Sequence, residues 1–297
     1  MKPEDVLLLA ALDSKMAVVR DRTRSVALRY TTGFFLYGDG GVGKSFAVLN
    51  ELDRLKADYK LHNSRMTGRG LFDALCDFPE SIHVLEDMEA IFDDRMAQGV
   101  LRSALWGQVK DDRPVRVVTW RSHRIDLRCT FEGGVIIVSN RPLADLPELN
   151  AIATRINPTQ LHISNAEAAA LMRKIASDGY RKSEHRLAPE ACLEVADFLI
   201  EESLSSDRRL DLRLFINSLS DRLQWGHHET EAHWKELVVS RLQEKVTPTK
   251  RSRAAEIADE REVARHIKAM PRMERAAKWQ ELTGKSEKAL YRRLAEV

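Results

Sequence analysis

The run Gly38-Asp39-Gly40-Gly41-Val42-Gly43-Lys44-Ser45 constrains this chain more than any other stretch of it. It fits G-x-x-x-x-G-K-[ST] at every fixed position. Phe34-Phe35-Leu36-Tyr37 precedes it, an apolar run bounded by glycines that predicts a short buried strand. Residues 44–56 follow with the spacing of a helix. A strand, a glycine-rich turn and a helix in this order present backbone N–H groups at a helix N-terminus, where anions bind. Glycines let that backbone wrap closely around phosphates. Lys44 is then placed for the β- and γ-phosphates of a nucleotide, and the Ser45 hydroxyl for Mg2+.

Two further strands carry polar groups at their ends. Ile82-His83-Val84-Leu85 runs into Glu86-Asp87, with Glu89 close by. Carboxylates ending a strand beside a phosphate site are suited to hold Mg2+ and to orient an attacking water. The order is Glu-Asp, so the division of labour between the two acids stays open. Val135-Ile136-Ile137-Val138 ends in Ser139-Asn140, and an amide there can sense the γ-phosphate or the water. Strands alternating with helices predict an α/β fold with a parallel sheet between helices. Residues 4–30 read as N-terminal helix with a break at Asp13-Ser14. Residues 165–180, 189–204 and 211–224 read as successive helices, an all-helical layer.

Composition narrows the class. The chain has 297 residues, 43% hydrophobic and 31% charged, enough for a sizeable core. No stretch approaches the ~18 apolar residues of a membrane span, and the N-terminus predicts no secretory leader. Cys76, Cys129 and Cys192 are odd in number and far apart. They predict no disulfide framework and no zinc site, and they suit a cytoplasmic protein. His227-His228-Glu229-Thr230-Glu231-Ala232-His233 lacks the four-residue histidine spacing of a helical metal motif, so a solvated helix start is expected instead.

The net charge of +2 hides an asymmetry. From Arg241 onward there are 15 Lys/Arg against 9 Asp/Glu, which favours a polyanion partner. Residues 113–131 alternate β-branched and aromatic residues around a polar tip and read as a hairpin. Between 113 and 128 they hold five arginines and one acid. Arg121, His123 and Arg124 at the tip can track phosphates, and Trp120 can stack on a base. Residues 254–269, 271–282 and 286–296 read as three short helices. Gly284 supplies a tight turn, Ser286 caps the next helix, and Leu290 and Leu294 face its core. Lys285, Lys288, Tyr291, Arg292 and Arg293 then face a groove or phosphates, as in a helix-turn-helix.

The glycine-rich run, the Glu86-Asp87 strand and the Asn140 strand, followed by Ala151-Ile152-Ala153-Thr154-Arg155, resemble the AAA+ ATPases over about residues 30–225. The resemblance implies an ATPase core over 31–163 behind an N-terminal helical segment at 1–30. It also implies a helical lid over 164–240; a basic linker at 241–253 and a small C-terminal domain at 254–297 are read from the residues themselves. It implies ATP and Mg2+ as cofactors, and Arg155 as an arginine finger reaching a neighbouring subunit, with Arg141 and Arg173 as rivals. Arg213, in Asp211-Leu212-Arg213-Leu214, takes the place of a second sensor arginine, with Arg209 as its rival. A homo-oligomer, a six-membered ring or a filament, follows from a shared site. The arginine-rich hairpin before Asn140 is similar to the pre-sensor hairpin of superfamily 3 helicases and initiator ATPases. That points to DNA and to a replication helicase or initiator of a phage, plasmid or other mobile element, with a further replication protein as a possible partner. The alternatives are a helicase loader or transposition regulator forming an ATP-dependent filament, and an ATP-switched DNA-binding regulator. A protein-remodelling ATPase is disfavoured, because no aromatic-glycine pore loop stands out.

Overall fold

The computed structural model describes residues 3–106, 108–110, 113–122, 125–143, 150–243, 264, 267–268, 270–283 and 286–296. It divides into two units, Met1–Glu244 and Lys245–Val297.

The first unit is built on a parallel sheet. β1 (Gly33–Tyr37), β2 (Tyr59–His62), β3 (Ile82–Glu86), β7 (Gly134–Ser139) and β8 (Asn157–Gln160) lie in the order β2-β3-β7-β1-β8. Phe35 aligns with Ile137 across β1 and β7, and Leu85 aligns with Ile137 across β3 and β7. Strands buried on both faces read as unbroken apolar runs, and β1 and β7 do. Alternate side chains then serve two cores. Phe34, Leu36, Val84 and Val138 pack with α1 (Pro3–Ala27), α2 (Lys44–Arg54) and α6 (Asn165–Ser177). Phe35, Leu85, Val135 and Ile137 pack with α3 (Gly68–Asp77), α4 (Arg95–Leu105) and α5 (Asn150–Ala153). Each such side chain contributes about 1.5–3 kcal/mol of burial.

The acid-bearing strand is not the immediate neighbour of the strand before the glycine run. β7 lies between β1 and β3, so the Asn140 strand is central and both others flank it. α1 runs without the break expected at Asp13-Ser14. Ser14 Oγ donates to the Ala10 carbonyl at 3.0 Å, which satisfies its hydroxyl inside the helix. Lys15 of the same helix holds Glu167 at 2.7 Å. Glu167 forms a capping box with Ser164 and so ties α1 to the start of α6.

After α6, residues 180–187 form a two-stranded hairpin, β9 (Tyr180–Lys182) with β10 (His185–Leu187). The layer read as all-helical therefore contains a small antiparallel pair. α7 (Pro189–Ser205), α8 (Leu212–Gly226) and α9 (Trp234–Gln243) complete it around Leu199, Phe215 and Trp234. The histidine-rich segment lies between α8 and α9. α9 runs to Gln243, three residues into the segment read as a linker, and residues 244–253 lie outside the described ones.

β4 (Gln108–Lys110), β5 (Arg113–Ser122) and β6 (Ile125–Phe131) form a separate antiparallel sheet, and β5 and β6 are the arginine-rich hairpin. Cys76 of α3 and Cys129 of β6 are joined by a disulfide, with Cα atoms 5.6 Å apart. This corrects the expectation drawn from an odd cysteine count. Fifty-three residues of sequence separate the pair, but the packing of β6 on α3 brings them together. The cysteines therefore give no support to a reducing compartment. Cys192 is free and buried. Among the described residues no helix is long and apolar enough to cross a membrane.

In the second unit, Arg272–Thr283 and Glu287–Leu294 are helices, and Trp279 and Leu290 pack with Ala264 and Ile267. Ser286 stands at the N-cap position, but its side chain makes no capping bond. Most of the helix read at 254–269 lies outside the described residues, as do Gly284 and Lys285.

Candidate nucleotide site

The glycine run forms the turn between β1 and α2. Gly43 takes φ 83° at the N-cap of α2, and an added Cβ there would meet nothing within 4 Å. Its surroundings are open, as a loop that must receive phosphates requires. Gly41, at φ 72°, is held for a different reason. A Cβ there would collide with the Asp211 carboxylate, and the Gly41 carbonyl accepts from the Leu212 N–H at 3.1 Å. The start of α8 thus sits directly on the turn. Asp211 also caps α8 by accepting from the Arg213 N–H at 2.7 Å.

Lys44 is buried. Its Nζ donates to the Gly38 carbonyl at 2.8 Å, the Asp39 carbonyl at 2.7 Å and Asn140 Oδ1 at 2.9 Å. Burial lowers its pKa, with Arg209 and Arg213 pushing the same way and Asp87 and Asp39 opposing. The incoming negative charge of phosphate favours the ammonium form. Asn140 Nδ2 donates to Asp87 Oδ1 at 3.0 Å, and Ser45 Oγ donates to Glu86 Oε1. The two acids therefore face different partners, Glu86 the hydroxyl of the glycine run and Asp87 the amide of β7's end. Hard oxygen donors of this kind suit Mg2+.

These groups line one cavity of about 460 Å³ with Gly40, Val42 and Arg213. Its apolar wall is made by Phe46, Ile175, Leu212 and Ile216. Phe46 is 72% exposed, so this wall is open to a ligand from solvent. The sequence reading passed over this wall, although Phe46 directly follows Ser45. Of the two rival arginines, Arg213 lines the cavity, and Arg209 lies against the glycine run, paired with Asp39 at 3.0 Å and donating to the Gly40 carbonyl at 3.4 Å.

Arg155 lies elsewhere. It lines a second cavity, of about 840 Å³, with α4 and β5. Its rival Arg173 is held by Asp197 at 3.0 Å and by Asp5 at 3.3 Å.

The hairpin and C-terminal readings are only partly matched by geometry. Trp120 packs its ring 6.3 Å from that of Phe72, with the Arg69 guanidinium 5.9 Å from its centroid. It is partly buried against the core and also lines the second cavity. Arg121 is exposed and pairs with Asp126 at 3.1 Å. His123 and Arg124 lie outside the described residues. Arg116, counted in the charge of the hairpin, is buried and donates to the Ala104 carbonyl at 2.8 Å and the Gly133 carbonyl at 2.6 Å. In the second unit Lys288 and Arg292 are exposed and Tyr291 is half-exposed. Arg293 is only 7% exposed and pairs with Glu296 at 2.7 Å. It turns inward instead of facing a groove, because it stands three residues beyond Leu290 on the packed side of its helix.

No protein-family model matches this chain, and no curated protein matches it. Among solved structures, it is similar to a mutant of Thermotoga maritima RuvB, with a TM-score of 0.44 and 12% sequence identity over 96% of this chain and 88% of that one.

Proposed function

We propose that this chain is an AAA+ type ATPase that works on DNA as an oligomer. The observation that carries the reading is the convergence of Lys44, Ser45, Glu86, Asp87, Asn140 and Arg213 on one cavity from four separate segments. The triphosphate of ATP lies along the N–H groups of Gly40–Ser45, with Lys44 exchanging its carbonyl partners for phosphate oxygens. The base takes the apolar wall of Phe46, Ile175, Leu212 and Ile216. Ser45 and Glu86 are the residues that would hold Mg2+. Bound Mg2+ neutralises charge developing on the transferred phosphoryl group.

Asp87 and Asn140 orient the water that attacks the γ-phosphate, and Asp87 is placed to take its proton. Arg213 reads the γ-phosphate from the lid. Arg155, which lines a different cavity from Lys44 of its own subunit, serves a neighbour's site in an oligomer. Such a finger is worth about 10³–10⁵ in rate. DNA is proposed on the arginine-rich hairpin and on the basic composition after Arg241. The finer reading is a helicase or replication initiator of a mobile element. A strand-displacement assay separates it from a loader or regulator that binds DNA without unwinding it.

Steady-state ATP hydrolysis, measured without DNA, with single strands and with duplex across protein concentration, tests the proposal. A rate that rises with DNA and steepens with concentration is expected. A rate indifferent to both overturns the DNA-directed, shared-site reading.

A further inference from the structure

Helix α4 carries a stripe that the ATPase chemistry does not use. Arg95, Gly99, Arg102 and Ser103 follow one another at helical spacing along Arg95–Leu105, and Trp106 stands at its C-cap. Together they form one wall of the 840 Å³ cavity. The alternate residues Val117, Thr119 and Arg121 of β5 form the other wall, and Arg155 also lines the cavity.

Three observations describe what this groove suits. Among the described residues four arginines line it and no carboxylate does; Arg121 is held by Asp126 at 3.1 Å, and Arg95 and Arg102 on α4 give the groove a charge that complements a polyanion. Trp106 is 63% exposed, a flat indole left on the surface beside those arginines. Gly99 stands in a helix interior, where glycine costs about 1 kcal/mol relative to alanine. Packing does not call for it, since an added Cβ would meet only Arg102 Nη2 at 4.0 Å. The missing side chain leaves the floor of the groove clear against the helix backbone.

We propose that this groove binds single-stranded nucleic acid, with phosphates on Arg95 and Arg102, a base stacked on Trp106, and the strand lying over Gly99. The proposal rests on the DNA-directed reading above and extends it from the hairpin to the α4 face. A single strand is favoured over duplex because stacking on an indole needs an unpaired base face. A second copy of the chain, which the oligomer proposed above would bring to Arg155, is the rival occupant and is an outcome of the test.

The test is fluorescence anisotropy on the full-length protein with labelled oligo(dT), oligo(U) and a DNA duplex, over a range of salt. Trp106→Ala should weaken single-strand binding about tenfold, and Trp106→Phe should restore most of it. The pair Arg95→Gln and Arg102→Gln should flatten the slope of log K against log salt by about 1.4. Gly99→Leu should weaken binding while the melting temperature holds or rises, because leucine is the better helix former. DNA-independent ATP hydrolysis should stay unchanged in all of them. Comparable loss on oligo(dT) and oligo(U) supports a strand of either sugar, and loss on one alone supports the proposal and names the sugar. If the wild type binds oligo(dT) and all the variants match it, the groove proposal fails while the DNA-directed reading stands. If the wild type binds no nucleic acid, both fail. Variants that change oligomeric mass by light scattering and leave affinity untouched also overturn the groove, assigning it to a second copy of the chain.

Discussion

Asp87 holds a left-handed backbone at φ 51°, a conformation that costs of order 1–3 kcal/mol outside glycine and clusters at functional positions. Here it directs the carboxylate to Asn140 while Glu86, one residue earlier, meets Ser45. Asp87→Asn should keep nucleotide binding and lower single-turnover hydrolysis at least about a hundredfold. Glu86→Gln should instead raise the Mg2+ concentration needed for half-maximal rate. The reverse pattern would exchange the two roles. His83 offers a separate test, on stability. Burial lowers its pKa from 6.5 to about 4. Its Nε2 donates to the Phe78 carbonyl at 3.0 Å, so its Nδ1 accepts from His62 Nε2. The unfolded chain therefore binds more protons than the folded one between about pH 4 and 6.5. The contribution of His83 is complete above pH 6.5 and is lost as pH falls through that window, by about 3 kcal/mol at most. Urea midpoints should fall across it in the wild type and much less in His83→Gln.

The arginine-rich hairpin is joined to the core by two devices that are not adjacent in sequence. Arg116 holds carbonyls at the end of α4 and at the turn before β7, with the Phe131 ring 4.9 Å away. Burial lowers its pKa to about 10, which leaves it charged at neutral pH. Arg116→Ala should cost about 3 kcal/mol by chemical denaturation, because it strands two buried carbonyls. The Cys76–Cys129 bond is the second device. A cross-link closing a loop of this length is worth about 4 kcal/mol in the chain-entropy account. Thiol titration of the denatured protein should find one free thiol before reduction and three after it. Three thiols before reduction would show that the bond does not form. Of this element, the alternation of residues 113–131 disclosed the strands. Which arginines face solvent was not legible, since that depends on what lies over the hairpin. The short pairs are a similar case, because three-residue strands such as β9 and β10 carry too few alternations to stand out from a helical background.

A site completed by a neighbour would make activity a property of the assembly. Arg155 and Lys44 line different cavities of one chain, so a finger acting within its own subunit finds no support in their placement. If Arg155 acts between subunits, Lys44→Ala and Arg155→Ala should each be inactive alone. Their mixture should recover part of the wild-type rate, because some interfaces then pair an intact Lys44 with an intact Arg155. Mixing that recovers nothing, with assembly intact by light scattering, would remove Arg155 from the catalytic reading.

What the sequence by itself determined is local. The strand, the glycine turn and the helix around Lys44 are contiguous, and their chemistry follows from residue type at fixed spacing. The same is true of the apolar strands that end in Glu86 and in Asn140. Tertiary structure alone decided that β7 separates β1 from β3, and that Arg213 rather than Arg209 lines the cavity with Lys44. It also turned Arg116 and Arg293 inward, and it joined two cysteines 53 residues apart. The physical reason is the same in each case. A motif within a dozen residues is held by backbone geometry that the sequence states directly. A contact between distant residues depends on which faces pack, and burial settles that only when the chain has folded.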